Sequence, residues 1–316
     1  MIRYLLRRAG RAVFLLVAVS LLLFLLLQAA PGEFLSDIRL NPQISEQTLA
    51  ALRAEYGLDQ PLPSRYLHWL HSVVHGEMGY SFAYNLPASA LLWPRAYNTL
   101  LLTIPALILS WLIAIPLGVL AAWSRSRWTD RLFSAGTSVF LALPDLLLAL
   151  LLLLLALRTG WFPAGGTGSS PGSARFADLI WHMVLPVTAL IIGTLPVILR
   201  HVRAAMVEAL ESPFVRAAQA HGVTTLRILF SHGLRAAANP LISLFGLSIA
   251  GLLSTSLLIE VVMSWPGIGP MLVEAIISRD LFLVIGAVML STFFLVIGNF
   301  LADLLLYAAD PRIRVQ

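Results

Sequence analysis

Apolar residues along this chain gather into long unbroken runs separated by shorter polar stretches, and they do not alternate at the period of a half-buried strand. Six runs approach or exceed the roughly 20 residues an α-helix needs to cross about 30 Å of hydrocarbon. They cover about 12–28, 98–122, 132–157, 179–199, 241–262 and 281–307. Strands of a membrane barrel would read as short alternating segments instead. The pattern predicts an all-α integral membrane protein with about six transmembrane helices, forming a single transmembrane domain over 1–316 with no internal repeat.

The intervening segments carry helix signals of their own. In the long segment 29–97, Ser45 can cap a helix in which Leu49, Leu52 and Tyr56 share a face and Gly57 ends it, with Ile44 and Leu49 at staple positions. A second stretch, Ser64 to Val74, puts Leu67, Leu70 and Val74 on one face, with Tyr66 and Trp69 suited to a membrane interface, and is expected on the outer surface. Residues 161–175, rich in Gly, Ser and Pro, read as an irregular loop. The loop 200–240 is the most informative. Ser212 followed by Pro213 starts a short helix that runs to about His221, Gly222 stops it, and Thr224 can cap a second helix. The pair forms a helix-turn-helix elbow, and Ala217, Ala218 and Ala220 would let a partner groove approach closely.

Composition sharpens this reading. The chain is 59% hydrophobic and 12% charged, with a mean hydropathy of +0.85, well beyond what a soluble domain can bury. All 21 basic residues are arginine, and the net charge is +5. They are scattered between apolar spans without a basic stripe, which argues against nucleic-acid binding. With the N-terminus in the cytoplasm, 14 arginines fall inside and seven outside, so the positive-inside rule puts both termini in the cytoplasm. Segment 29–97 is then outside, and loop 200–240 is cytoplasmic. Arg3, Arg7, Arg8 and Arg11 ahead of the first run also allow a signal-peptide reading, with Gln28-Ala29-Ala30 as a loose cleavage site. Cysteine is absent, which removes disulfides, thiolate metal sites and cysteine nucleophiles.

Few residues suggest chemistry. No P-loop is present, so ATP hydrolysis would have to come from another chain. Intramembrane charges are few. Asp303 lies one turn after Asn299 near the end of the last span, where end-anchoring competes with a place on a substrate path. Glu260 precedes a Trp265-Pro266-Gly267-Ile268-Gly269 turn. Asp145, beside Pro144, reads as a cap for broken backbone bonds near the cytoplasmic start of the third span. His68, His71 and His75 recur at helical spacing, a weak signal for nickel or zinc that a plain surface helix explains equally well. No Ser/His/Asp set or carboxylate pair stands in a recognisable catalytic order, and no metal or cofactor is expected on the chain itself.

The stretch Glu211 to Pro240 resembles the coupling-helix loop of ABC importer permeases, where an Ala-Ala pair is followed four residues later by Gly and then by an Asn-Pro entry into the next span. Ala217, Ala218 and Gly222 match, while Arg216 stands where an acidic residue is usual. Further stretches are similar to the dipeptide, oligopeptide and nickel permease family: Tyr56 to Leu62 with Arg65, Tyr66 and Trp69; Gly76 to Ser81; Trp161-Phe162-Pro163; Glu260 with Ser264 to Gly269; Arg279-Asp280; and Asn299, Asp303, Tyr307 with Asp310 to Arg314. Departures from that pattern are Pro31-Gly32-Glu33, His221 in place of a common Lys, and Asp145 where a neutral residue is usual.

The resemblance implies a permease subunit in a bacterial inner membrane, forming half of a path for di- or oligopeptides by alternating access. It implies a second homologous permease, ABC ATPase subunits that bind ATP and Mg, an extracytoplasmic substrate-binding protein, and a lipid surround. On that reading Ser212, Pro213, Phe214, Arg216, Ala217, Ala218 and Gly222 would couple to the ATPase. Glu260, Trp265, Pro266, Gly267 and Gly269 would form an outer gate or a docking point for the binding protein, or else serve structural hydrogen bonding. A nickel or other small-solute importer of the same family is the nearest alternative. A secondary transporter or channel would favour ionisable groups or broken helices at the midplane, and a structural scaffold would leave the elbow without a purpose.

Overall fold

The computed structural model describes residues 2–29, 47, 60–81, 83–124, 127–168 and 175–309. Residue 47 apart, the predicted helix from Ser45 to Gly57 lies outside the described residues, as do the 169–174 part of the Gly-rich loop and the Asp310 to Arg314 motif. In chain order the elements are α1 (Ile2–Ala29), α2 (Leu62–Val74), the two-residue strands β1 (Tyr80–Ser81) and β2 (Leu86–Pro87), α3 (Ala88–Trp123), α4 (Arg127–Ala142), α5 (Asp145–Thr159), α6 (Arg175–Leu210), α7 (Pro213–Ala220), α8 (residues 225–236), α9 (Ala238–Val262), α10 (Ile268–Ile277) and α11 (Leu281–Ala309). Five of these helices are long and apolar enough to cross a membrane, and the bent pair α4–α5 makes a sixth span if counted as one. The chain is therefore an all-α multi-pass membrane protein.

The apolar run 132–157 does not form one straight span. It folds as α4 and α5, which meet at 90°. Pro144 explains the break: it lacks an N–H for the ladder and disfavours helical backbone at Leu143. Pro144 itself sits at φ −61°, ψ 138°, and α5 begins at the next residue. By contrast, Pro186 and Pro196 lie inside the continuous α6, as the packed surroundings of membrane helices allow.

The contacts group into two compact units. The first holds Met1–Thr99 and Pro266–Phe294. Here the structure corrects the reading of Ser64 to Val74. Tyr66 and Trp69 are buried, whereas Leu67 and Val74 are 63% and 79% exposed. The aromatic stripe won because it has a partner: the Phe24 ring of α1 lies 5.3 Å from Tyr66, edge to face, and 5.2 Å from Trp69. Ser20 Oγ and Tyr66 Oη share a hydrogen bond of 2.9 Å beside them. In the β-hairpin, Tyr80 pairs with Pro87 and Ser81 with Leu86.

The second unit holds Leu100–Trp265 and Leu295–Gln316. It contains two apolar clusters. One gathers Leu102, Ala106, Ala149, Ala156, Leu190, Leu252, Ile259 and Trp265. The other gathers Trp111, Ala114, Val119, Ile198, Val202, Met206, Leu229 and Leu241. Along α3, α6 and α9 each cluster occupies its own length of helix, so the residues between them form a distinct layer.

Candidate functional site

The elbow forms where local sequence dictates. Ser212 has extended backbone (ψ 146°) and Pro213 opens α7 with its φ already suited to a helix. The Ser212 hydroxyl does not cap α7, contrary to expectation; it donates back to Ala209 O at 2.6 Å, closing the end of α6. Arg216 holds the turn from the other side, donating through Nε and an Nη to Glu211 O at 2.9 and 2.7 Å. The helix ends in a Schellman arrangement, with Gly222 N–H donating to Gln219 O (3.0 Å) and Val223 N–H to Ala218 O (3.2 Å). Gly222 sits at φ +75° with open space where a Cβ would go, so its requirement for glycine is conformational and not steric.

After the turn, Thr224 has extended backbone but makes no side-chain cap, and α8 winds its middle, Ile228–Gly233, as a π-helix. Widened turns of this kind are rare and recur at functional sites. Val215 is fully buried and pins α7 to its own unit, while Phe214 is 52% exposed. Ala217 and Ala220 are exposed beside it. The elbow thus shows an aromatic ring and a small-residue surface outward on a locked backbone.

The Glu260 to Gly269 segment is equally well fixed. Glu260 and Trp265 are both fully buried, and Trp265 N–H donates to Glu260 O at 2.9 Å around Ser264, which adopts φ +51°. Pro266 O accepts from Asn98 Nδ2 at 2.8 Å, and Ile268 N–H donates to Thr99 Oγ1 at 2.9 Å. Gly267 precedes α10 in extended backbone, and Gly269 is buried in its first turn. Beyond α10, Asp280 is a buried hub that motif matching alone did not disclose. Its carboxylate accepts from Ser81 Oγ at 2.6 Å, Ala83 N–H at 3.3 Å and Leu283 N–H at 3.2 Å. Nearby, the Tyr84 hydroxyl donates to Glu274, and that bond raises the tyrosine pKa above its ordinary value.

The predicted histidine group does not converge. His68 lines a pocket of about 460 Å³ with Arg65, Trp69 and Glu77, whereas the His71 and His75 rings lie tilted against each other at 37°, with centroids 4.5 Å apart. Burial lowers the Arg65 pKa in that pocket. Among the described residues no three His, Cys, Asp or Glu side chains gather as a metal site. Asn299 lies where a Cβ on Gly246 would come within 3.2 Å of its Oδ1, and Asp303 is partly buried one turn further along α11.

Between the two apolar clusters of the second unit runs a polar layer that joins three helices, with a further polar pair from α5 and α9 alongside the first cluster. Ser110 on α3 meets Thr194 on α6 (3.2 Å), and Trp111 Nε1 on α3 donates to Ser248 Oγ on α9 (3.0 Å). Thr255 Oγ1 on α9 donates to Asp145 Oδ2 on α5 at 3.2 Å. A Cβ on Gly193 of α6 would lie 2.7 Å from the other carboxylate oxygen. Asp145 is therefore no helix cap at a span end: α5 has no side-chain cap, and the carboxylate lies at the break within the bent span.

Comparison with known proteins adds the following. Residues 114–315 match the family described as "Binding-protein-dependent transport system inner membrane component", and residues 1–95 match its N-terminal counterpart. The chain is 33% identical to the oligopeptide transport system permease protein AppB of Bacillus subtilis, over 99% of this chain and 100% of that one. It is likewise 33% identical to the dipeptide transport system permease protein DppB of Escherichia coli K12, over 99% of each. In fold it is similar to a chain of the MetNI methionine ABC transporter, solved in inward-facing conformations, with a TM-score of 0.58 and 20% identity over 70% of this chain and 96% of that one.

Proposed function

Because the chain belongs to the family of binding-protein-dependent transport system inner membrane components, we propose that it is the permease subunit of an ABC importer that carries di- or oligopeptides across a bacterial inner membrane. The observation that carries this reading is the coincidence of end-to-end similarity to peptide permeases with an outward-facing, rigidly terminated elbow at Ser212 to Gly222.

On this reading the termini and the elbow face the cytoplasm, where arginine is concentrated. Phe214, Ala217 and Ala218 enter a cleft of a partner ATPase, which binds ATP and Mg. Arg216 and Gly222 keep the elbow stiff enough to pass on the closure of that partner as a rigid-body movement. A second homologous permease completes the path, and a soluble binding protein delivers peptide to the outer face near Glu260 and the Trp265 to Gly269 turn. Asn299 and Asp303 stand as candidate path residues on α11. Purification from the native membrane in mild detergent, with mass spectrometry of the co-purifying chains, tests the reading. Recovery of an ATPase and a second multi-span permease is expected, and a reproducibly solitary, stable chain would overturn it.

A further inference from the structure

Asp145 stands where a carboxylate needs a reason. By helical spacing it shares the face of α5 that carries the buried Leu148, Ala149 and Ala156, while Leu146, Leu147, Leu150 and Leu151 point away and are exposed. The side chain is thus directed into the second unit, toward α6 and α9, and it remains partly exposed there. An ionisable group within a membrane span is costly and faces an interior or a water-filled path. Among the described residues its hydrogen-bond donor is the Thr255 hydroxyl, a neutral group that occupies one oxygen. Beside the other oxygen stands Gly193, whose missing Cβ leaves the space that any larger residue would fill.

The layer around it is also suited to a moving polar solute. Ser110, Thr194 and Ser248 supply hydroxyls from three helices at the depth where the two apolar clusters leave off, and Thr255 adds one alongside the first cluster, between Leu252 and Ile259. Ser248 and Thr255 are seven residues apart on α9, so these hydroxyls are spread over roughly 10 Å of the helix. One carboxylate among hydroxyls, without imidazole or a second acid, is a poor donor set for a divalent metal ion but a good one for an ammonium group. A helix broken within the membrane is a common place for such a site.

We propose that Asp145 is a substrate-recognition residue of the translocation path, accepting a charge-assisted hydrogen bond from the ammonium group of a passing peptide, with Thr255 orienting the carboxylate. The N-terminal ammonium is the feature that peptides share whatever their side chains, so one acidic group serves a broad selection. This inference rests on the peptide-importer reading.

The test uses the complete complex in proteoliposomes and reads the ratio of uptake of Ala-Ala-Ala to that of its N-acetylated form, at saturating binding protein. Asp145→Asn, the isostere of a neutral carboxyl, is expected to lower that ratio about tenfold, and Asp145→Glu to recover most of it. An unchanged ratio in Asp145→Asn, including an equal loss of both uptakes, overturns the inference and marks Asp145 as a packing group. Should that variant fail to assemble, Gly193→Ala decides in the same way, because its Cβ displaces the carboxylate without removing the charge. Uptake of neither peptide by the wild-type complex would overturn the importer reading itself.

Discussion

The elbow at 211–224 and the polar layer around Asp145 lie in the same unit, and they depart from ordinary burial in opposite directions. The elbow turns the Phe214 ring toward its surroundings, 52% exposed, on a short helix pinned by Val215. The layer does the reverse, holding hydroxyls between two apolar clusters and a carboxylate alongside one of them. Each arrangement costs free energy in the isolated chain, the first by hydrating apolar surface and the second by desolvating polar groups. The costs differ in how they are met. In the layer, hydrogen bonds between helices offset much of it within the chain. At the elbow the described residues leave the ring half exposed, and the rigid Schellman end keeps it presented. On the proposed reading the elbow is built for contact with another protein, and the layer for holding helices together and meeting a solute.

This contrast predicts different failures. Gly222→Val places a branched residue at φ +75° in open space, so the damage is to elbow geometry alone. ATP-dependent uptake in proteoliposomes should fall roughly tenfold, while membrane insertion stays as in the wild type. Thr255→Val should behave in the opposite manner. Loss of one interhelical hydrogen bond in a membrane protein costs about 0.6 to 1.7 kcal/mol, which thermal unfolding in detergent should register as a fall of roughly 2 °C. Uptake by that variant should drop by less than the elbow variant shows. If instead Gly222→Val unfolds the protein and Thr255→Val leaves its stability untouched, the two regions have been assigned the wrong way round.

The same two regions differ in how much of them could be read from sequence. The elbow is written in neighbours: Ser212-Pro213 to start a helix and Gly222 to stop it, each acting over a few bonds. The layer is assembled from residues 110, 145, 194, 248 and 255 on four helices, and no local pattern announces that they meet. Asp145 was visible as a departure from the family pattern, and Pro144 as a breaker, but the 90° bend depends on what α4 and α5 pack against. The helix of α2 was legible, but its packing face was not, for a related reason. Two adjacent stripes both looked apolar, and only the position of Phe24 on α1 decides that Tyr66 and Trp69 turn inward. Asp280 belongs to the same class, since its partner Ser81 is 199 residues away in sequence.

The central claim is that the elbow seats in an ATPase and moves with it. The chain contains no cysteine, so Phe214→Cys introduces a single thiol at an exposed position without further engineering. The measurement is disulfide or short-linker cross-linking of that thiol in native membranes, with and without ATP, followed by identification of the attached chain. The account predicts a cross-link to an ABC ATPase whose yield changes when ATP is bound. Efficient labelling of the same thiol by a soluble maleimide in the intact complex, with no cross-link to any ATPase in either state, would contradict it.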